Sequence, residues 1–473
     1  MPLTILQESP HDRQPIAGGV SHEPQAERWV PSRYTVRATT ADGGLLLWNT
    51  FSGSMNAFSA EQAPKVKALL YRSGFSAAPT SLAKYLIDRG YVVKEGVNEY
   101  RQIQLAFGKS HYRSDSLELI LLTSEDCNFR CRYCYEEFAR GTMLPWVRTA
   151  IKRLVEKRIG RLQYLATSYF GGEPLYGWKA IEDLAPFFLE QANAHSIPLI
   201  GTMTTNGYLL SPDIAEQLLS WKITNFQITL DGSPETHNCS RPTRDGQPTF
   251  GTIFENLRSM HQRNTSFHVD LRVNFDNQNR SGISSLLDLL AKEFGDDPRF
   301  EMRFRAVGKW GGPNDALLDV CGQDAKQVKA ALEAEASRRG LRNAGGLTEI
   351  NHVGGEVCYA ARPYNFIIGA HGKLMKCTIA LDKEDYNVVG MIRENGELTI
   401  DQDKLALWTE PAFEHDRQCG KCIVLPVCQG MYCPMIRIEE DVSPCTPTRR
   451  SVKGELLAAY NRRRATGKRV STE

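Results

Sequence analysis

Three cysteines occupy one short stretch, Glu125-Asp126-Cys127-Asn128-Phe129-Arg130-Cys131-Arg132-Tyr133-Cys134-Tyr135, at the spacing Cys-x3-Cys-x2-Cys. Thiolates are soft ligands, so three in one loop suit a soft metal ion or an iron–sulfur cluster. They are one short of the four that hold an ordinary cubane, so such a cluster keeps an open iron. A second concentration lies C-terminal: Cys358, Cys377, then Cys419-x2-Cys422-x5-Cys428-x4-Cys433, and finally Cys445. Gly171-Gly172-Glu173-Pro174 places two residues that let backbone approach a ligand closely beside a carboxylate able to accept an ammonium's hydrogen bonds. Further polar landmarks are Thr204-Thr205-Asn206-Gly207, then Leu230-Asp231-Gly232 with His237 and Arg241, and Arg272-Val273-Asn274-Phe275.

The elements around these residues alternate. Strand patterns at Leu117–Leu122, Tyr164–Phe170, Pro198–Thr204, Asn225–Leu230, His268–Phe275 and Phe300–Arg305 are separated by helical patterns at Trp146–Arg158, Trp178–Ala194, Pro212–Trp221, Thr252–Arg263 and Gly282–Glu293. Ser211-Pro212 is a strong helix start, with a capping hydroxyl and proline at the first position. Strands joined by helical crossovers predict an α/β fold on a parallel sheet, open or curled into a partial barrel. Active sites of such folds collect at the C-terminal strand ends, where each motif above falls.

Residues 115–310 therefore read as the central domain, and 311–350 as a helical bridge with its helix near Asp324–Arg339. Residues 351–446 hold seven of the twelve cysteines and read as a domain folded around metal. Residues 447–473 read as a helix with a basic tail whose end, from Asn461, is frayed. Residues 1–31, rich in proline, glutamine and charge, read as disordered. Residues 32–110 read as a separate winged-helix-like module: strands Arg33–Ala38 and Leu45–Asn49 about an Asp42-Gly43-Gly44 turn, helices Ala60–Arg72 and Thr80–Arg89, and a strand from Tyr91.

At 473 residues the chain exceeds one ordinary core. Its 41% hydrophobic and 24% charged content is that of a globular protein, and a net charge of +2 gives no argument for nucleic acid or an anionic membrane, neither of which is expected as a partner. No export signal or membrane-length apolar run is present, which predicts a cytoplasmic location, where cysteines are metal ligands more often than disulfides.

The Cys127, Cys131, Cys134 triad, with Tyr133 before the last cysteine, resembles the signature of the radical S-adenosylmethionine (SAM) superfamily. The resemblance implies a partial (β/α)6 barrel, a [4Fe–4S] cluster on the triad and SAM on its open iron as the source of a 5′-deoxyadenosyl radical. It also implies that Gly171, Gly172, Glu173 and Pro174 hold the SAM amino group. Tyr133, Asn206, Asp231 and Asn274 would face the cofactor. The C-terminal cysteines resemble the SPASM extension of these enzymes, which implies two auxiliary [4Fe–4S] clusters, three in all. Cys419, Cys422, Cys428 and Cys445 would hold the outer cluster; Cys358, Cys377 and Cys433 would hold the inner, leaving it one ligand short or borrowing Cys321 or a non-cysteine group. The quartet departs from the family in its x4 spacing before Cys433, where x3 is usual. Cys239 and Cys321 remain, read as small buried hydrophobes or, alternatively, as hydrogen-atom donors. The N-terminal module is similar to a PqqD-like peptide-recognition element, which implies that a leader peptide docks as an added strand.

Together these resemblances imply a peptide maturase. Its partners would be a ribosomally made precursor peptide with a leader and a low-potential donor of flavodoxin or ferredoxin type. Its reaction would be an oxidative cross-link: a thioether, a carbon–carbon bond or a relative. The rival readings are an anaerobic sulfatase-maturing enzyme that forms formylglycine, a peptide epimerase, a small-molecule dehydrogenase, and a non-catalytic iron–sulfur or zinc scaffold. Against the first rival, Thr378 follows Cys377 where that group of enzymes has an aspartate base.

Overall fold

The computed structural model describes residues 27–71, 74–76, 80–138, 140–411, 413 and 416–465. The readings made for residues 1–26 and for the end of the basic tail, 466–473, lie outside these. The N-terminal part runs β1 (Arg28–Pro31), β2 (Thr35–Thr39), β3 (Leu45–Asn49), β4 (Met55–Phe58), α1 (Ala63–Leu69), β5 (Phe75–Ser76), α2 (Ser81–Asp88), β6 (Val92–Lys94) and α3 (Glu99–His111). The central part runs β7 (Ser116–Ser124), α4 (Pro145–Arg158), β8 (Tyr164–Gly171), α5 (Trp178–Ala194), β9 (Leu199–Thr205), α6 (Pro212–Ser220), β10 (Ile223–Thr229), α7 (Pro234–Ser240), α8 (Phe250–His261), β11 (His268–Phe275), α9 (Ile283–Phe294), β12 (Phe300–Ala306) and α10 (Ala325–Arg338). The C-terminal part holds α11 (Leu347–Ile350), β13 (Asn365–Ile368), β14 (Lys373–Met375), α12 (Glu384–Asn387), β15 (Val388–Ile392), β16 (Leu398–Ile400), α13 (Gln402–Thr409), α14 (Leu425–Cys428), α15 (Pro434–Glu440) and α16 (Pro447–Ala465).

Strands β7 to β12 are parallel, and each lies beside its successor in sequence. This is the winding of a barrel segment, in place of the strand-order reversal of a doubly wound sheet. Helix starts follow the sequence signals: Ser211 Oγ accepts from the Ile214 N–H at 3.4 Å ahead of Pro212, and Ser233 Oγ accepts from the Thr236 N–H at 3.4 Å ahead of Pro234. On β8 burial alternates, with Leu165, Thr167 and Tyr169 turned into the helix-covered core and Tyr164, Ala166, Ser168 and Phe170 left partly open on the other face.

The sheet does not stop at β7. Strand β13 pairs with β7 in parallel, Asn365 opposite Glu118 to Ile368 opposite Leu121, and β14, β15 and β16 continue antiparallel. Residues 351–446, read from sequence as organised around metal, thus also extend the central sheet. Phe366, Ile368, Leu374, Val389, Ile392 and Trp408 belong to the same apolar core as β7–β12. The sequence signal was weak because these strands are three to five residues long.

The N-terminal part builds two three-stranded sheets, β2-β3-β4 and β5-β1-β6, where a single hairpin and a lone strand were expected. The hairpin turn is where the sequence put it, with the Thr40 N–H donating to the Gly44 carbonyl at 3.0 Å and Gly43 at φ +84°. Strand β1 corrects the reading of residues 1–31 as disordered for Arg28–Pro31, whose neighbours Phe75–Ser76 and Val92–Lys94 are distant in sequence. Helix α3, missed because its surface is polar, buries only Glu99, Ile103, Phe107 and His111, four residues apart on one stripe. Helix α16 continues through Asn461 to Ala465, into the tail read as frayed.

The N-terminal part is locked to the C-terminal part through Trp48. Its ring has no exposed surface, packs with Leu347, Val424, Val427 and Leu456, and donates Nε1–H to Asn351 Oδ1 at 2.6 Å. Trp48→Ala is expected to lower stability by about 3–5 kcal/mol and to expose the N-terminal part to protease first. Urea denaturation with limited proteolysis checks this, and an unchanged cleavage pattern would count against the lock.

Candidate active site

The loop after β7 carries Cys127, Cys131 and Cys134 to the C-terminal edge of the parallel strands. It is strapped to the segment after α7: the Arg130 N–H donates to the Pro242 carbonyl, the Arg132 N–H to the Ser240 carbonyl, both at 3.0 Å, and Phe129 bridges to Thr243. Arg132 Nη2 grips both oxygens of the buried Asp276 at 2.8 and 2.6 Å. Glu125, at the loop's start, accepts from the Ala370 N–H at 2.8 Å, which ties the loop to the β13–β14 turn.

Tyr133 is the hub. Its hydroxyl donates to Asp231 Oδ2 in a short bond and accepts from Arg241 Nη1 at 2.6 Å and Asn274 Nδ2 at 3.0 Å. The Asp231 N–H donates to His237 Nδ1 at 3.0 Å, so the proton of this neutral ring sits on Nε2 and is donated to Thr249 Oγ1 at 3.1 Å. Thr249 in turn donates to the Arg241 carbonyl at 2.7 Å, which closes a ring of hydrogen bonds through Asp231, His237, Thr249, Arg241 and Tyr133. Burial, aided by the nearby Arg241 charge, holds His237 well below the usual imidazole range, and burial pushes Asp231 up against the pull of Arg241.

A cavity of about 180 Å³ opens between the loop and the strand ends. Cys127, Cys131, Cys134, Tyr133, Gly171, Gly172, Asn206, Arg241 and Asn274 line it. The structure thus gathers eight of the expected residues of the triad and its cofactor set, Cys127, Cys131, Cys134, Tyr133, Asn206 and Asn274 with the glycine pair, around one space. It departs from the sequence reading at three others. Glu173 has no exposed surface and its carboxylate is taken up by the Leu175 N–H, the Thr205 hydroxyl and the Asn206 N–H at 3.0, 2.7 and 2.7 Å. Pro174 starts a buried turn, and Asp231 lies behind Tyr133; none of the three lines the cavity. A buried carboxylate satisfies the nearest orphan N–H groups, and the residues after β8 and β9 offered them.

Arg272, from the Arg272–Phe275 landmark, also lines it from β11; sequence reasoning missed Gln227, Thr229 and Arg305, which line the same space from β10 and β12. Their signal was available: every second residue on these strands is polar where the alternate ones are buried.

The donor set fits an iron–sulfur cluster with one open corner. All three thiols are raised by burial, Cys134 to about 12, with the neighbouring carboxylates and thiols adding, so metal binding there must displace protons. Gly172 passes so close to the loop that a Cβ would stand 2.5 Å from the Asp126 carbonyl, and the lining Arg241 keeps its buried Nε without a partner. Among the described residues no three His, Cys, Asp or Glu side chains converge as ligands of a single ion.

The C-terminal cysteines fall into two neighbourhoods. Cys358 lies within the field of Cys377 and Cys433, and burial raises it to about 12. Cys419, raised by burial to about 11, lies within the field of Cys422 and Cys445, and Cys428 within that of Cys419. Thr378 donates its N–H to the Tyr359 hydroxyl at 3.0 Å, and both residues face a second cavity, of about 550 Å³, on the sheet's partly open face. Cys321 is buried, as read; Cys239 is exposed on α7, contrary to that reading, and neither lines the cavity at the triad.

Residues 121–290 match the family model of the radical SAM superfamily. The radical SAM cyclopropyl synthase TigE of Paramaledivibacter caminithermalis is 25% identical over 236 residues, 43% of this chain and 48% of that protein. The cysteine-type anaerobic sulfatase-maturating enzyme of Clostridium novyi is 28% identical over 176 residues, 32% of this chain and 45% of that protein. The matches thus span about half the length of these curated relatives. Among solved structures, native anSMEcpe with bound AdoMet and Cp18Cys peptide superposes with a TM-score of 0.54 at 18% identity, over 75% of this chain and 99% of that one. At that identity the likeness is one of fold: an α/β radical SAM fold on a large, parallel-rich sheet. No helix among the described residues is long and apolar enough to cross a membrane.

Removing the Tyr133 hydroxyl leaves Asp231 and Arg241 without their shared partner. Tyr133→Phe is expected to cost about 1–3 kcal/mol. In a double-mutant cycle with Asp231→Asn, the pair should cost less than the sum of the singles. Strict additivity in chemical denaturation would show that the two side chains are not coupled.

Proposed function

We propose that the protein is a radical SAM maturase that acts on a peptide, with the triad cavity as its SAM site and the partly open sheet face as its reaction chamber. The observation that carries this reading is continuity. Phe170 and Thr204 line both the triad cavity and the 550 Å³ cavity, which runs on to Tyr359 and Thr378 beside Cys358 and Cys377. Chemistry started at the first cysteine group would therefore open onto a space walled by the chain neighbours of the second. In this reading a [4Fe–4S] cluster on Cys127, Cys131 and Cys134, with SAM on its open iron, supplies a 5′-deoxyadenosyl radical when bound.

This chain's residues do the rest. Gly171 and Gly172 present bare backbone to the SAM amino group, a role the resemblance gave to Gly171, Gly172, Glu173 and Pro174 together. Asn206, Asn274 and Arg272 offer polar contacts for the carboxylate and ribose, and Tyr133 fixes the loop. Cys358, Cys377 and Cys433 would hold an inner auxiliary [4Fe–4S] cluster and Cys419, Cys422, Cys428 and Cys445 an outer one, as a SPASM-type domain. The inner set is one thiolate short, which favours a substrate thiol as the fourth ligand and a thioether as the product. Thr378 engages Tyr359 and is no base, which disfavours the formylglycine reaction. The N-terminal part, with its β1-centred sheet, would act as the winged-helix-like element that receives a leader peptide. A low-potential flavodoxin or ferredoxin would supply electrons, and the setting would be the cytoplasm.

Anaerobic reconstitution should load about twelve irons per chain, four for each cluster, and yield 5′-deoxyadenosine only with reductant. Co-expression with a precursor peptide, sought as a short reading frame beside the gene, should lower that peptide's mass by two hydrogens per cross-link. Stoichiometric zinc without SAM cleavage would overturn the enzyme reading; an unchanged peptide mass with turnover would favour epimerisation.

A further inference from the structure

A third cavity, of about 200 Å³, lies at the opposite end of the strands from the triad. Ser116 and Glu118 of β7, Tyr164 of β8 and Asn365 of β13 line it, all from the N-terminal ends of parallel strands, together with His111 of α3 and Arg362. Four of these, Glu118, Tyr164, Arg362 and Asn365, also line the 550 Å³ cavity. The three spaces therefore stand in series along one face of the sheet. At the junction of the lower two, Glu118 accepts from Tyr164 Oη at 2.7 Å, Arg362 Nη1 at 3.0 Å and Asn365 Nδ2 at 2.8 Å.

Two buried polar atoms in this lower cavity have no partner: His111 Nε2 and Asn365 Oδ1, on side chains 8% and 4% exposed. Leaving such atoms unpaired costs about 1–3 kcal/mol each, so the site is built for something that pairs them. The charges that line the cavity are already paired, Glu118 with Arg362 and Arg113 with Asp115 at 2.5 Å, and Lys376 behind Asn365 donates to the Arg362 and Asn365 carbonyls at 2.7 and 2.5 Å. Burial keeps His111 neutral, its pKa lowered to about 4. A neutral imidazole and an amide oxygen, among paired charges, match an uncharged hydrogen-bonding ligand better than an ion.

We propose that this cavity is a docking subsite for an extended, uncharged stretch of polypeptide, whose main-chain N–H donates to Asn365 Oδ1 while another main-chain group pairs His111 Nε2. The Glu118–Arg362 pair is the gate through which the chain passes upward to the reaction chamber. This rests on the reading that the substrate is a peptide. It adds a distance: the nine residues of β7 separate the two ends of the passage by roughly 26 Å, which an extended peptide covers in about eight residues. The residue modified should stand about that far along the substrate from the stretch held below.

The test is photolabelling of the full-length enzyme with N-acetyl-Ala-photoleucine-Ala-amide, compared with a probe carrying Glu in place of the first Ala. Mass spectrometry should place the label on residues 105–113 and 352–365. Ser110, on the exposed rim, can be changed without disturbing the core, and Ser110→Trp should abolish that labelling. His111→Phe, which keeps the shape and removes the polar atom, should reduce it about fivefold to tenfold. The Glu probe should label no better than the His111→Phe enzyme does. Labelling elsewhere, or labelling unchanged by Ser110→Trp, or equal labelling by the Glu probe, overturns the proposal. None of these readouts needs SAM cleavage. A peptide modified by the enzyme without labelling here refutes the subsite alone, and labelling without peptide modification refutes the maturase reading alone.

Discussion

A carboxylate with no exposed surface costs several kcal/mol unless each oxygen is bonded, and Asp231 is such a group. Its Oδ1 accepts from the Asn274 N–H at 2.7 Å, its Oδ2 takes the Tyr133 hydroxyl, and Arg241 supplies the counter-charge at 3.9 Å. Tyr133 stands between the second and third cysteines of the triad, so satisfying Asp231 also decides where Cys131 and Cys134 point. The return path through His237 and Thr249 to the Arg241 backbone makes the arrangement self-consistent: no member can rotate without leaving a buried polar atom unpaired. The loop's own fixings, at Asp276 and the Ser240 and Pro242 carbonyls, add to this ring.

The second constraint is the polarity of the open sheet face. Ion pairs and amides fill it, Asp270 with Arg303 and Glu118 with Arg362, where an ordinary sheet would bury aliphatic side chains. Such a face is poor at holding a core together and offers polar groups to the space beside it. The opposite face carries the apolar core, with Leu165, Tyr169, Met203, Phe226, Ile228, Leu271 and Val273 all closed off under the helices. Stability and chemistry are thereby assigned to opposite sides of the same strands.

This division explains what could be read beforehand. The parallel strands and their crossover helices were legible because β8, β9, β10, β11 and β12 alternate over seven or eight residues and their helices carry clear starts. The cysteine groups were legible because thiol spacing is a discrete signal. Glu173 misled: its type suits an ammonium, but whether a carboxylate faces a cavity or caps a turn depends on which N–H groups the fold brings within reach, and Thr205 and Asn206 are more than thirty residues away. Arg28–Pro31 misled for the same reason, since its partners Ser76 and Lys94 are distant. Short strands such as β14 and β16 carry too few residues for a period to show. Cys239 illustrates a weaker rule, because a free cysteine tends to be buried only when its helix face is, and α7 turns that face outward.

The pairing of β13 with β7 joins the two halves of the site. Cys358 and Cys377 flank the β13–β14 hairpin, and β7 leads directly into the triad loop, so one hydrogen-bond register sets the separation of the two cysteine groups. A slip of one residue would shift the inner group by about 3.3 Å and turn Asn365 and Ile367 to the opposite face. Several side chains prevent that slip at once: Asn365 and Arg362 on Glu118, and Glu125 on the Ala370 N–H. Two of these contacts belong to the same Glu118 that stands at the junction of the lower cavities. The residue that helps to fix the register is therefore the same one that divides the two lower cavities.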